Sequence, residues 1–436
     1  MRNGIRKNIF RKNFKPRQRG AALLIAILFF LIISLTVAVG SGGPVIADRK
    51  AAQNLIKSKA SYFTSEAGTE DVSYRIIKSK KYGNAENLTL NGYTASMAVV
   101  DNGGVKEVTA VGNAQNLIRK IKTRLIAGTG ASFHYGVQVG EGGIIMENSS
   151  RVAGNVFSNG PIVGQNSNTI NGDIVSAGPA GSISGSYATG TAYAHSISNS
   201  KIDKDAYYAA ISNTTVGGTK YPNSPDQATS SLPITDAMID GWKTAAAVSV
   251  ISSPCPYVIS SSVTIGPVKI NCDLEISGSP TITIAGPVWV NGNIEISGTP
   301  TIKLSSSLGG NSVAIIADNP ANRTTSSKIE LANSAQFQNS GTEGSYVLFV
   351  SQNNSAQNGG SEKALTAENS ISGEVLVYAG HGEIQLKNSV SLREVSAYRI
   401  RLSNSSQVIY KTGLANLIFT SGPSGGYSIN SWQEIQ

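Results

Sequence analysis

From Ala21 to Val39 the chain carries no charge and only two hydroxyls, Ser34 and Thr36. A helix of that length just crosses the hydrocarbon core of a bilayer. Gly40-Ser41-Gly42-Gly43-Pro44 follows, a run that loosens or breaks a helix. From Val45 to about Ser79 the apolar positions return mostly at intervals of three, four or seven. They include Ala51, Ala52, Leu55, Ile56, Tyr62, Phe63, Ala67, Val72, Ile76 and Ile77, and predict an amphipathic helix. The period then changes. Residues 92–127 read as three antiparallel strands, with a turn at Asp101-Asn102-Gly103-Gly104 and a half-exposed last strand in LIRKIKTRLIAG.

Further on, PVKINCDLEISGSPTI (Pro267–Ile282) recurs as PVWVNGNIEISGTPTI (Pro287–Ile302), shifted by 20 residues. A fixed period of that size marks a solenoid, and short alternating strands punctuated by Gly, Pro and Asn suit a parallel β-helix. Val268, Ile270, Leu274, Ile276, Ile282 and Ile284 are its expected inner face. Asn-Ser pairs recur at Asn148, Asn166, Asn333, Asn369, Asn388 and Asn404. Asn tolerates left-handed turns, and stacked Asn side chains can bond along a solenoid. Between about 185 and 250 the repeat lapses. KIDKDAYYAAIS suggests a short helix; LPITDAMIDGWKTAAA suggests a better one, capped by Thr235, with Met238, Ile239 and Trp242 on one face. Trp242 is expected to pack against the solenoid. Beyond 303 the coils look longer, with loops at Ser351–Glu362 and Ser421–Gly426.

The fold class expected is therefore mainly β: a transmembrane and amphipathic helix, a small antiparallel sheet, then a parallel β-helix. The divisions are 1–20 for a leader, 21–80 for the helix, 81–130 for the sheet, and 131–436 for the solenoid with a helical excursion near 200–247.

Charge sharpens this picture. The chain is +9 overall, yet residues 1–19 hold eight basic side chains and no acid, which leaves 28 Lys and Arg against 27 Asp and Glu. The basic excess marks a cytoplasmic flank, with the ectodomain on the far side of the membrane, rather than a nucleic-acid surface. No nucleic acid is expected as a specific ligand. Cys255 and Cys272 bracket about one coil and lie where a disulfide can persist; two separate buried thiols are the alternative.

A basic leader ending in Gly20, an apolar helix from Ala21 and an amphipathic continuation resemble the amino terminus of type IV pilins and pseudopilins. YFTSEAGTEDVSYRI (Tyr62–Ile76), with Glu66-Ala67-Gly68, is similar to the AEAG stretch of PilX-type pilus assembly proteins. The resemblance covers roughly residues 17–128. It implies cleavage by a prepilin peptidase between Gly20 and Ala21, and packing of the Ala21–Val39 span against other pilin-like subunits. One position departs: the fifth mature residue, a Glu in major pilins, is Ile25 here. The departure is similar to minor subunits that sit at a filament tip or begin assembly, and it weakens the inference of cleavage. Signal-peptidase cleavage after Ala38-Val39-Gly40 and an uncleaved signal anchor remain alternatives.

Catalytic signals are sparse. Glu275 and Glu295 match across the repeat, but as a stacked, outward pair they suit solvated surface better than acid–base work. His134, His195 and His381 are scattered, and no nucleophile elbow, zinc helix or phosphate loop occurs. The expectation is a non-enzymatic minor pilin or pseudopilin-like surface protein, structural or adhesive, needing no cofactor or metal. Its expected partners are the membrane, other pilin subunits, the peptidase and a surface or polysaccharide ligand. The alternatives are a signal-anchored carbohydrate-active enzyme and a polymer-forming scaffold.

Overall fold

The computed structural model describes residues 19–77, 82–101, 105–127, 133–411, 414, 417, 419 and 427–435. The leader before Arg19, the turn residues 102–104 and the loop 421–426 lie outside them.

Helix α1 runs unbroken from Arg19 to Ile77 with Pro44 inside it. The break expected at Gly40–Pro44 is absent. A proline removes one N–H and crowds the carbonyl four residues back, here that of Gly40. Long helical runs on both sides outweigh that local loss. The apolar stripe expected to pack does so only in part, at Val72 and Ile76. Ser61, Thr64, Ser65, Gly68, Thr69, Val72, Ser73 and Ile76 are buried, at spacings of three and four, while Leu55, Ile56 and Phe63 stay exposed. Small residues win because they let the helix lie close on a sheet. At Gly112 a Cβ would stand 2.1 Å from the Ser61 carbonyl oxygen, and the Ser61 hydroxyl donates to the Gly112 carbonyl at 2.7 Å.

That sheet is antiparallel and contains β1 (Ala85–Leu90), β2 (Tyr93–Asp101), β3 (Val105–Ala114) and β4 (Leu117–Ala127), in that order. Its fifth strand is the carboxy-terminal Tyr427–Ile435, paired with β4. The sequence reading left out β1 and counted 427–435 with the solenoid. Alternation alone does not say which sheet a strand joins. Ala95, Met97, Val108, Ala110 and Leu125 meet Val72 and Ile76 in the core of this head.

The solenoid is thus inserted between β4 and the last strand. Its parallel strands form three faces, the third a sheet of twelve strands. The 20-residue repeat is in register as read: Val268 pairs with Val288, Glu275 with Glu295, and Ile282 with Ile302. Val, Ile and Leu fill the interior. Coils of 18 residues (Ile174 to Ala192) shorten to 14 (Ala192 to Ala206 to Lys220). KIDKDAYYAAIS therefore forms strands Lys201–Ile202 and Ala206–Ser212, not a helix, because Ala206 and Tyr208 repeat the inward positions of Ala192 and Ala194.

The winding order differs from the chain order. Strand Val137–Met146 pairs on one side with Val156–Ser158 and Ile162–Gly164, and on the other with Glu394–Leu402. One half winds outward from residue 137 to 222. The other starts at 250 and winds back until its last coil lies under the first coil of the other half. The chain enters and leaves the solenoid in the middle of its length.

Residues 223–235 form a strap that returns along the outside. Gln227 accepts from the Gly178 amide, Ser230 exchanges bonds with Asn159, and Ser231 accepts from Gln138. The strap then reaches the other half, where the Ile234 carbonyl accepts from Tyr378 at 2.5 Å. Helix α2 (Asp236–Ala246) follows, with Thr235 as its N-cap and Met238, Ile239 and Trp242 buried, as the sequence pattern requires.

Candidate functional site on the stem and the solenoid

The first part of α1 has no packing partner within the chain. Leu23, Phe30, Val39 and Ile56 are 65%, 70%, 70% and 66% exposed. The best 18-residue window has a mean hydropathy of 3.0, so by length and composition this helix can cross a membrane. Gly20 and Ala21 lie in its opening turns, next to the boundary with the basic leader. Further along, Val45, Ile56 and Phe63 stay exposed at helical spacing, which extends the uncovered apolar surface up to the head.

The three faces of the solenoid differ in chemistry. The first is covered over much of its length by α2, the strap and residues Leu414, Leu417 and Phe419, which enclose Trp242, Ile316, Leu348 and Leu376. Trp242 packs 4.7 Å from Phe419, as expected of a packing residue. Toward the tapered end this face instead carries a ladder of stacked rings, Tyr193–Tyr207–Tyr221, at 4.7 and 4.4 Å. The second face carries Glu275, Glu295 and Glu330 in register. Glu275 is half-exposed and the other two are exposed, and a shallow cleft of about 180 Å³ lies over them with Asp273 and Lys328 at its rim. Farther along it, ion pairs alternate, such as Lys387–Glu368 and Arg401–Glu147. His195 and His381 bond Asp226 and Asp236 respectively, each at 3.1 Å. Among the described residues no group of three or more His, Cys, Asp or Glu could hold a metal ion.

The six Asn-Ser pairs beginning at Asn148, Asn166, Asn333, Asn369, Asn388 and Asn404 sit at corners with positive φ at both residues, between 49° and 69°. Asn388, Asn404, Asn148 and Asn166 each donate to the side-chain carbonyl of the Asn in the adjacent coil, at 3.0 to 3.1 Å. The ladder crosses the seam between the halves through Asn404 and Asn148. Cys255 and Cys272 are bonded, with Cα atoms 5.8 Å apart, and staple the outermost coil of the broad end.

Two buried ionisable sites were not legible in the sequence. Asp318 is fully buried and bonds Lys243 of α2 and Arg323, each at 2.7 Å. Burial lowers the Lys243 pKa, but Asp318 and Asp240 outweigh it and hold the value above its ordinary range. This buried pair fixes α2 to the solenoid. The second site lies at the neck. There the Phe133 amide meets the Leu414 carbonyl, and Tyr410 donates to the Phe133 carbonyl at 2.8 Å. Glu394 is fully buried beside them. Ser396 donates to one carboxyl oxygen, and the other has no partner. Burial pushes this carboxyl well above the usual range, against the opposing Ser396 bond.

No family model matches the chain, and no curated protein matches it. Among solved structures, the competence-associated pilin ComZ from Thermus thermophilus aligns with a TM-score of 0.33 and 10% identity, covering 87% of this chain and 97% of that one.

Proposed function

We propose that the chain is a pilin-like surface protein: α1 is held in the membrane or among the stems of similar subunits, and the head displays the solenoid outside. The single observation that carries this reading is the division of α1. Its distal part is apolar and uncovered by this chain, while its proximal part is docked through small residues onto an antiparallel sheet. An exposed apolar surface of that length needs lipid or other helices to cover it. Gly20 and Ala21 are the proposed processing pair for a prepilin peptidase. Ile25 places no carboxylate near the new amino terminus, which suits a tip or assembly-initiating subunit more than a repeating one.

The role proposed for the ectodomain is structural or adhesive rather than catalytic. A polymer-forming solenoid is disfavoured by its ends. One end tapers to 14-residue coils and closes on Pro222; the other is broad, stapled and carries Pro254 and Pro256. Ends of different width do not stack, and prolines withhold the N–H groups that edge pairing uses.

The test is the amino-terminal residue of membrane-extracted protein, read by mass spectrometry. A start at Ala21 supports the reading. A start at Met1 would leave a plain signal anchor, and one near Ser41 would make this a released exoprotein; either would overturn the pilin-like part.

A further inference from the structure

None of the twelve strands of the third face contains an aspartate or a glutamate. Their outward positions instead form a register of hydroxyls and amides, including Thr281, Thr301, Gln336, Ser372, Ser391 and Gln407. Arg151 follows Gln407 in the next coil. The charged residues on these strands are Lys303, Arg151 and Lys201, all basic. Lys201 lies 3.5 Å from Asp203 and over the Tyr187 ring. Among the described residues, Lys303 and Arg151 have no carboxylate within ion-pair distance. None of these outward side chains is buried.

The face also has relief. A cleft of about 560 Å³ lies over Thr283, Lys303 and Gln338, walled by the segments 304–306 and 339–341; Glu374 at its edge is already paired with Arg393 and Lys411. A second, of about 340 Å³, lies beside Tyr187 and Lys201 toward the tapered end. Eight strand steps separate the strand of Lys303 from that of Lys201, roughly 38 Å at the usual strand spacing. A small ligand reaches one cleft only. A chain that runs parallel to the solenoid axis reaches both and meets a polar row between them.

We propose that the third face binds an acidic polysaccharide laid along the solenoid axis. This rests on the reading that the solenoid is displayed outside the cell. Sugar hydroxyls match a row that both donates and accepts, and uronate carboxylates match cations with no internal partner. The second face, with its stacked glutamates and internal ion pairs, offers neither.

The test uses the full chain in detergent over immobilised polygalacturonate, with dextran and single-stranded DNA as comparison surfaces. Expected is retention on polygalacturonate that weakens with added salt and exceeds retention on dextran. Lys303→Gln with Arg151→Gln should weaken it about tenfold, the scale of two exposed charge contacts. A charge-matched control away from this face, Lys220→Gln with Arg124→Gln, should retain wild-type binding. Equal retention on dextran, an unchanged double variant, equal losses in the control, or stronger retention on DNA would each overturn the proposal. The amino-terminal residue is read separately, so a failed pilin-like reading and a failed ligand reading give different results.

Discussion

Replacing Glu394 by Gln changes how the neck responds to pH. The carboxyl is fully buried, with one oxygen bonded to Ser396 and the other without a partner, so the folded protein keeps its proton beyond the ordinary carboxylate range. Unfolded, the group titrates near its ordinary value of 4.5. A folded-state pKa raised in this way contributes stability that is fully present below the unfolded value and is lost as pH rises through the folded value. Each pH unit in that window removes about 1.4 kcal/mol. His134, next to Phe133, is held below its ordinary value by burial and by Lys106, and it is present in both proteins, so the difference between them reports Glu394. Burial pushes Tyr410 up to about 12 and Tyr378 higher still, and Glu374 is held below its usual range despite burial by Lys411 and Arg393. The Gln variant places amide hydrogens where no acceptor waits, which costs about 1–3 kcal/mol at every pH. It should therefore be less stable than wild type at pH 4, and the gap between the two proteins should narrow as pH rises. The assay is urea unfolding of the detergent-solubilised chain across this range, followed by tryptophan fluorescence, since Trp242 lies buried in the adjoining apolar cluster. Parallel stability curves for the two proteins would refute the reasoning.

Asp318→Asn strands Lys243 and Arg323 without their buried partner and should cost about 3–5 kcal/mol; limited proteolysis should then cut the 223–235 strap first, and cutting elsewhere would argue against α2 being held by this pair. Asn404→Gly keeps the left-handed corner but removes the ladder bonds to Asn388 and Asn148, so a loss of about 1–2 kcal/mol is expected, whereas Asn404→Ala should lose a further 1 kcal/mol or so. Equal losses in calorimetry would show that the corner conformation does not matter. The double replacement Cys255→Ser with Cys272→Ser opens a loop with a sequence separation of 17 and should cost about 3 kcal/mol in denaturant unfolding. An unchanged midpoint would mean the outermost coil is held without the staple.

What the sequence disclosed was whatever recurs locally. The 20-residue shift placed Val268 and Val288 in one register, and the Asn-Ser pairs marked corners that do carry positive φ. The 14-residue coils also carry a readable signal: Ala192-Tyr193 and Ala206-Tyr207 repeat with Ile-Ser-Asn five residues later. The remaining features depend on distant partners. Strand 427–435 alternates no differently from a solenoid strand, and only pairing with β4 assigns it to the head. Glu394 reads as an ordinary strand carboxylate until residues from the neck cover it. Asp318 gains meaning from Lys243, which arrives on a helix carried back by the strap. On α1 the periodicity was legible but the face only in part, because the sheet selected serine, threonine and glycine over larger apolar side chains.

The meeting of first and last coils at mid-solenoid orders events during synthesis. Residues 137–222 emerge with the outer edge of strand Val137–Met146 unpaired, and that edge waits for Glu394–Leu402; Asn148 waits for Asn404, 256 positions later. The head sheet waits longer still, for residues 427–435. A chain that stops before Glu394 thus leaves both an open solenoid edge and an unfinished head, whereas one that stops between 402 and 427 has closed the solenoid and lacks only the last strand of the head.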